Sequence, residues 1–311
     1  MCTTVALMMD RFFFGRNMDL EGSFGEGVVI TPRNYPFQFR REESSFSHYA
    51  MIGMATVIDG YPLYADAVNE KGLCMAGLNF PYNAYYQEYG TSAQSEISPF
   101  EFVPWVLGKC ATVMEARALL EKTLLVFEPF SKTVSLTPMH WHIADHSGSL
   151  TVEPCVDGLK VYENPVGVLT NNPLFPFQLE MLARYEELDN KSSFTSLCEP
   201  SFFSLGLGGV GVPGDYSSSA RFARAAFLKK HLVKEGETQE RVARMFSLLA
   251  AVAPPKGSVL NVEGRPHYTT YSCCMDALKG IYYVKRAEWL SVSSFHLSGA
   301  DLDATTLFHY H

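Results

Sequence analysis

The chain has 311 residues, a net charge of −8 at pH 7, 47% hydrophobic residues and 19% charged residues. This composition is typical of a large globular enzyme domain, and the negative charge with scattered Lys and Arg argues against nucleic acid as a partner. No apolar run approaches the roughly twenty residues that cross a bilayer, and the amino terminus lacks the regions of a signal peptide, so we expect a cytoplasmic protein without a membrane span.

Two short segments at the amino terminus predict a β-hairpin. Thr3–Leu7 is extended and apolar, Asp10–Arg11 supplies a turn, and the aromatic segment Phe12–Phe14 suits a returning strand. If the turn centres near Asp10, the numbers of paired residues sum to about 20, as in any tight antiparallel hairpin. This register places Cys2 opposite Met18.

The rest of the chain reads as two blocks of strands and two blocks of helices. Periodicity alone indicates only a mixed α and β fold. Strands are predicted over Met51–Ile58, Leu73–Phe80, Met139–Asp145, Leu150–Glu153, Tyr268–Met275 and Ile281–Lys285. Helices are predicted over Phe100–Lys109, Val113–Lys122, Phe177–Leu188, Ser219–Val233 and Gln239–Val252, the last one capped by Thr238.

Cys2 is the strongest candidate for chemistry. Removal of Met1 would leave a thiol and a free amine on one residue, and the amine can take the thiol proton near neutral pH. A guanidinium near the sulfur, from Arg16, would favour the thiolate, and the Asp19 carboxylate would orient the amine. The alternative is an ordinary second-position cysteine beside a surface ion pair of little energetic value.

Five sequence blocks, in this order, resemble the choloylglycine hydrolases, a family of N-terminal nucleophile hydrolases that includes conjugated bile salt hydrolases and penicillin V acylases. They are MCT at 1–3, GRNMD at 15–19, NEKGL at 69–73 with GLNFP at 77–81, VLTNNP at 168–173, and PGDYSSSAR at 213–221. The resemblance implies one domain over residues 1–311, with Met1 removed on maturation. The fold that it implies is α+β, a four-layer αββα sandwich with two antiparallel sheets between helical layers.

The resemblance also implies roles for individual residues. Cys2 is the expected nucleophile, with Arg16 beside its sulfur and Asp19 holding the new amino terminus. Asn79 and Asn172 match the oxyanion-hole positions, and Arg221 matches the position that supports the charge network around the nucleophile. Amide donors in an oxyanion hole stabilise a tetrahedral intermediate by about 3 to 4 kcal/mol each. The positions that line the substrate pocket in the family are Met18, Ile58, Tyr64 and Ala65.

The reaction that follows is hydrolysis of glycine- or taurine-conjugated bile acids through a thioester, without a cofactor or metal. Asn79 favours this substrate over penicillin V, because many penicillin V acylases carry tyrosine there. A penicillin V acylase or N-acyl homoserine lactone acylase with the same machinery, a papain-like hydrolase with an internal cysteine, and a non-catalytic bile-acid-binding protein remain alternatives. The segment between Asn172 and Arg221 resembles the assembly region of the bile salt branch, so we expect a homotetramer.

Other sequence features are interpreted as structural. His140 and His142 alternate on one strand face without the Cys or carboxylate cluster that a metal site needs. The seven cysteines are irregularly spaced in a chain too large to need disulfides. Those beyond Cys2 are predicted to be reduced core residues: Cys74, Cys110, Cys155, Cys198, Cys273 and Cys274.

Overall fold

Two antiparallel β-sheets form the centre of the molecule. The computed structural model describes residues 1–90, 94–191, 193–194 and 203–310. Within this part of the chain the strands are β1 Cys2–Met8, β2 Phe12–Leu20, β3 Gly27–Thr31, β4 Met51–Ile58, β5 Tyr61–Asn69, β6 Cys74–Asn79, β7 Ser95–Ile97, β8 Thr123–Leu125, β9 Met139–Asp145, β10 Gly148–Cys155, β11 Gly158–Glu163, β12 Val168–Leu169, β13 Ser193–Phe194, β14 Phe203–Ser204, β15 Tyr268–Asp276, β16 Ile281–Arg286, β17 Ser293–His296 and β18 Phe308–Tyr310.

The first sheet has the strand order β12-β1-β2-β15-β16-β17, and the second has the order β11-β10-β9-β6-β5-β4-β3-β18. Two minor pairings, β13 with β14 and β7 with β8, lie outside these sheets. The α-helices are α1 Phe102–Lys109, α2 Val113–Leu120, α3 Phe175–Leu182, α4 Ser218–His231 and α5 Thr238–Ala251. In the residues described, no helix is both long and apolar enough to span a membrane.

The helices cover the outer faces of the two sheets. α1 packs on β5 and β6, and α2 packs on β9, β10 and β11 of the second sheet. α4 contacts β1 and β12, while α5 contacts β2 and β15 of the first sheet. Since β1 also contacts β6 and β9, the sheets pack face to face and the architecture is the expected four-layer αββα sandwich.

The burial pattern of β6 shows how the sequence builds two cores. Successive side chains of a strand point to opposite faces of its sheet. Cys74, Ala76 and Leu78 are therefore buried in the core that also holds first-sheet residues, whereas Met75 packs with Trp105 of α1 in the outer core. A strand that is apolar on both faces is expected for a sheet that is covered on both sides.

Several predictions from the sequence are confirmed, with shifted boundaries. In the amino-terminal hairpin Cys2 pairs with Met18 and Val5 with Gly15, which is the predicted register. The helix predicted over Phe177–Leu188 begins and ends earlier, at Phe175–Leu182. Thr238 was predicted to cap the last helix, but Glu237 is the N-cap and forms a capping box with Glu240, so Thr238 is already helical.

Candidate active site

Cys2 lies at the start of β1, between β12 and β2 in the first sheet, and is 3% exposed. Its Sγ is 3.7 Å from Nη2 of Arg16 and 3.8 Å from Sδ of Met18. Arg16 is two residues before Met18 on β2, so both side chains lie on the same face of that strand. The hairpin register therefore brings a guanidinium to the sulfur, as the sequence predicts.

The Arg16 guanidinium is fully buried and has partners in the second sheet. Nη1 donates to the Ala65 carbonyl at 2.5 Å and to the Asp66 carboxylate at 3.1 Å, and Nη2 donates to the Gly77 carbonyl at 2.6 Å. Burial opposes its charge, but Tyr271, Cys2 and Asp66 outweigh burial and raise the pKa of Arg16. Arg16 therefore stays cationic beside the sulfur at all ordinary pH values.

Asp66, on β5, is a member of the site that sequence reasoning missed. Its Oδ2 accepts from the Tyr271 hydroxyl at 2.6 Å, and its Oδ1 accepts from the Tyr282 hydroxyl at 2.7 Å. Asp66 belongs to none of the five blocks, and its neighbours Ala65 and Ala67 give no sign of a buried charge. A carboxylate in an otherwise apolar strand is the one signal that could have identified it, because unpaired charges are rarely buried.

Arg221 organises the other side of Cys2. Ser217 caps α4 by accepting from the Ala220 N–H, and this places Arg221 in the first helical turn facing β1. Its Nη1 donates to the Cys2 carbonyl and, at 2.6 Å, to the Thr3 hydroxyl. Burial lowers the pKa of Arg221, while Asp19 and Cys2 oppose that effect.

Asp19 has one carboxylate oxygen engaged and one without a partner. Oδ1 accepts from the Thr269 hydroxyl at 2.6 Å. Oδ2 is buried with no hydrogen-bond partner among the described residues, and the Arg221 Nη1 is 3.9 Å away. A buried carboxylate oxygen of this kind is costly unless a cation reaches it. The Asp19 side chain is thus an available acceptor near the chain terminus.

The terminal amine of Met1 lies in the same region. It donates to the Asp19 carbonyl at 3.1 Å and is 3.3 Å from Nε2 of His267. Burial lowers the pKa of this amine, although Cys2 and Asp19 raise it in part. Burial is also the main reason that the pKa of His267 is lowered, followed by the amine itself.

The two adjacent asparagines of the 168–173 block occupy different positions. Asn171 accepts on Oδ1 from the Cys2 N–H and from Arg221 Nη2, both at 2.8 Å, and its Nδ2 donates to the Asn79 carbonyl at 2.7 Å. The Asn172 amide donates instead to the Pro81 carbonyl at 2.6 Å. The structure therefore brings Asn171, and not the expected Asn172, against Cys2 and Asn79.

An apolar cavity of about 310 Å³ opens from Cys2. Of the four positions that the family resemblance places in the pocket, Met18, Tyr64 and Ala65 line this cavity, whereas Ile58 is not among its lining residues. Arg16 is the one charged side chain among the described lining residues. The apolar part of the wall comes mainly from Phe24, Leu63, Phe100, Val103, Phe130, Leu136, Met139 and Trp141.

The two histidines of β9 have structural partners. His140 stacks on Phe80 with ring centroids 4.1 Å apart and lies 3.3 Å from Glu153. His142 contacts the Thr4 hydroxyl at 2.8 Å. In the part of the chain that is described, no group of three or more His, Cys, Asp or Glu side chains is arranged to hold a metal.

The cysteines of the described segments are free, and all of them except Cys155 are buried. Cys198 lies outside the described residues. The predicted core position is therefore confirmed for the buried cysteines, while Cys155 is half-buried.

Comparisons with known proteins agree with this geometry. A bile salt hydrolase/transferase of Lactiplantibacillus plantarum is 42% identical over all of this chain and 96% of its own. A crystal structure of the C2A mutant of the conjugated bile acid hydrolase of Clostridium perfringens superimposes with a TM-score of 0.93 at 34% identity, covering 100% of this chain and 97% of the other. A penicillin V acylase of Agrobacterium tumefaciens shares the fold, with a TM-score of 0.79 at 22% identity and coverage of 98% and 90%.

A family model adds the decisive match, because it covers nearly the whole chain. Residues 2–310 match the model of the linear amide C–N hydrolases of the choloylglycine hydrolase type. The chain belongs to the choloylglycine hydrolase family and is a linear amide C–N hydrolase.

Proposed function

We propose that this enzyme hydrolyses the amide bond of bile acids conjugated to glycine or taurine, with Cys2 as the nucleophile. The observation that carries the proposal is the position of the Cys2 sulfur, 3.7 Å from Arg16 and at one end of an apolar cavity. A cavity of about 310 Å³ is at the small end of ligand sites and suits a rigid apolar body that is partly exposed. The names of the bacterial relatives indicate the same substrate class.

The proposed reaction begins after Met1 is removed. The amine of Cys2 then takes the thiol proton, and its nitrogen already lies 2.8 Å from the Asn171 Oδ1. The unpartnered oxygen of Asp19 suits the resulting ammonium. The thiolate attacks the amide carbon, and Arg16 stabilises the sulfur charge before attack.

The carbonyl oxygen that becomes the oxyanion needs hydrogen-bond donors. We assign them to the Asn171 side chain and the Asn79 backbone, with Asn171 replacing Asn172. The Asn171 amide carries two N–H bonds, one of which is used on the Asn79 carbonyl, so the second can serve the oxyanion. The terminal ammonium protonates the leaving nitrogen, the amine departs, and water then hydrolyses the thioester to the free acid.

The experiment that tests this proposal compares kcat/KM for glycocholate, taurocholate and penicillin V. The protein is first confirmed by mass to begin at Cys2, and the Cys2→Ala variant is the control. We expect a clear preference for the conjugated bile acids and no turnover by the variant. A preference for penicillin V would overturn the substrate and keep the nucleophile, and wild-type activity in Cys2→Ala would overturn both.

We further propose that the enzyme is a cytoplasmic homotetramer. The described cysteines form no disulfide with one another, and this suits a reducing compartment. The region implicated in assembly, between residues 172 and 221, lies partly outside the described residues. Light scattering coupled to size-exclusion chromatography should give four times the 34.7 kDa chain mass, and a monomer mass would contradict this assignment.

A further inference from the structure

A buried cluster of charged and polar groups connects the active-site arginine on β2 to β15 and β16 of the first sheet and to β5 of the second. Arg16, Asp66, Tyr271 and Tyr282 are all fully buried, and they come from β2, β5, β15 and β16. Both carboxylate oxygens of Asp66 accept from a tyrosine, and one also accepts from Arg16. The cluster is thus a chain of contacts that ends at the Cys2 sulfur.

The tyrosines remain hydrogen-bond donors throughout the working pH range. Burial raises the pKa of Tyr271 well above its ordinary value, and Asp66 raises it further. The same two causes, in the same order, raise the pKa of Tyr282. Both phenols are therefore protonated and give their hydrogens to the carboxylate, because an ionised carboxylate can only accept.

The arrangement has an electrostatic consequence for Arg16. A guanidinium stabilises a nearby thiolate only to the extent that its charge is not cancelled by another anion. Two donated phenol hydrogens disperse the negative charge of Asp66 away from Arg16. The carboxylate then fixes the guanidinium in place while cancelling less of its field at the sulfur.

We propose that Asp66, Tyr271 and Tyr282 are positioning residues that hold Arg16 against Cys2 and moderate the charge it presents to the thiolate. This proposal rests on the assignment of Cys2 as the nucleophile. None of the three residues contacts the substrate in this scheme, since none of them lines the cavity at Cys2.

Other titratable groups face the two ends of the cluster. Around Asp66 these are Cys273 of β15, whose Sγ is 3.7 Å from Oδ1, and Cys74 of β6. Burial raises the pKa of both thiols, so both stay neutral. Around Cys2 they are the terminal amine, Asp19, Arg221 of α4 and His267, none of which the variants below change.

The test measures the alkylation of Cys2 by iodoacetamide as a function of pH, located by peptide mass, in protein that begins at Cys2. We expect Tyr271→Phe and Tyr282→Phe each to move the midpoint of this profile upward by roughly half a pH unit. Each substitution removes a hydrogen bond to the Asp66 carboxylate, whose negative charge then cancels more of the Arg16 field at the sulfur. Asp66→Asn removes a negative charge and should move the midpoint downward. Tyr283→Phe, next to Tyr282 on β16 and only partly buried, is the matched control.

Turnover gives a second readout. The tyrosine variants should lower kcat and leave KM within about twofold, since the cavity wall is unchanged and only the charge at the nucleophile differs. Midpoints for both tyrosine variants that coincide with the Tyr283→Phe control would overturn the proposal. If Asp66→Asn does not fold, the two tyrosine variants decide the question alone, because Phe preserves their shape.

The outcome is separable from that of the proposed function. Alkylation reports on the thiol without any substrate. Midpoints that shift as expected in an enzyme that fails to cleave conjugated bile acids would uphold the cluster and overturn the substrate assignment.

Discussion

Asn171 and Asn172 have identical side chains and adjacent positions, yet only Asn171 contacts Cys2. Asn171 accepts from the Cys2 N–H and contacts Asn79, while Asn172 is turned to the Pro81 carbonyl. The sequence could not distinguish them, because β12 ends at Leu169 and the irregular backbone that follows has no fixed alternation of side chains. Where two identical residues are adjacent in a loop, the sequence can place the pair at a site but cannot show which of the two side chains faces it.

The two asparagines give a direct prediction. Asn171→Ala should lower kcat by about 100-fold or more, the usual loss for one oxyanion donor, and Asn172→Ala should stay within about tenfold of wild type. Steady-state kinetics on a conjugated bile acid measures both, with circular dichroism to confirm folding. The reverse ranking of the two variants would return the oxyanion role to Asn172.

The strands differ in how well the sequence predicts them. The register of the β1–β2 hairpin is predicted correctly, because a tight turn fixes how its strands pair, although β2 runs on to Leu20, well beyond the predicted Phe14. The strand β5 at Tyr61–Asn69 was not predicted, since it contains Pro62 near its start and the charged Asp66 at its centre. Tertiary contacts explain the difference: Asp66 is tolerated there only because Arg16 and two tyrosines from the other sheet reach it.

The pairing of β4 with β5 depends on Gly53. A Cβ at this position would lie 2.0 Å from the Asp66 carbonyl oxygen and 2.6 Å from the Ala67 Cα, and backbone atoms of a paired strand cannot move aside cheaply. We expect Gly53→Ala to lower the free energy of unfolding by about 1 to 3 kcal/mol. Urea titration measures this loss.

Gly148→Ala is the control for Gly53→Ala. Gly148 begins β10, and a Cβ added there meets nothing within 4 Å. The free energy of unfolding of Gly148→Ala should stay close to that of the wild type. Equal destabilisation by the two substitutions would show that close approach to β5 is not the reason that glycine is needed at position 53.

At the scale of the whole molecule, the packing of the two sheets includes polar contacts that pattern reasoning could not pair. The sandwich is what the family resemblance implies, and the comparison with solved structures confirms it. The individual links, Thr4 with His142 and Arg16 with Asp66, join strands far apart in sequence. Single-sequence periodicity assigns a face to each residue but not a partner on the opposite sheet.

His142 makes the stability of the whole fold depend on pH. Burial lowers the pKa of His142 to about 3 from its ordinary value near 6.5, so the folded state holds it neutral while the unfolded chain takes up a proton as pH falls. This contribution is fully present above pH 6.5 and is lost progressively between pH 6.5 and about 3. At pH 5 the loss from this one group should be about 2 kcal/mol relative to pH 7.5.

The check is urea unfolding of the wild type and His142→Gln at both pH values. The variant should show a smaller difference between pH 7.5 and pH 5, because glutamine does not titrate. His146, an exposed histidine of the β9–β10 turn, serves as the control, and His146→Gln should retain the wild-type difference. Equal pH dependence in all three proteins would refute the assignment to His142.

The ion pair between Arg16 and Asp66 has a consequence for how activity is lost. One partner belongs to the first sheet and the other to the second, so the environment of the Cys2 sulfur does not exist in a partly folded chain with a single sheet formed. Loss of catalysis then reports on whether the two sheets unfold together. Along a denaturant gradient, hydrolysis should disappear together with the tertiary signal of the sheet interface, leaving no partly folded state that still turns over substrate.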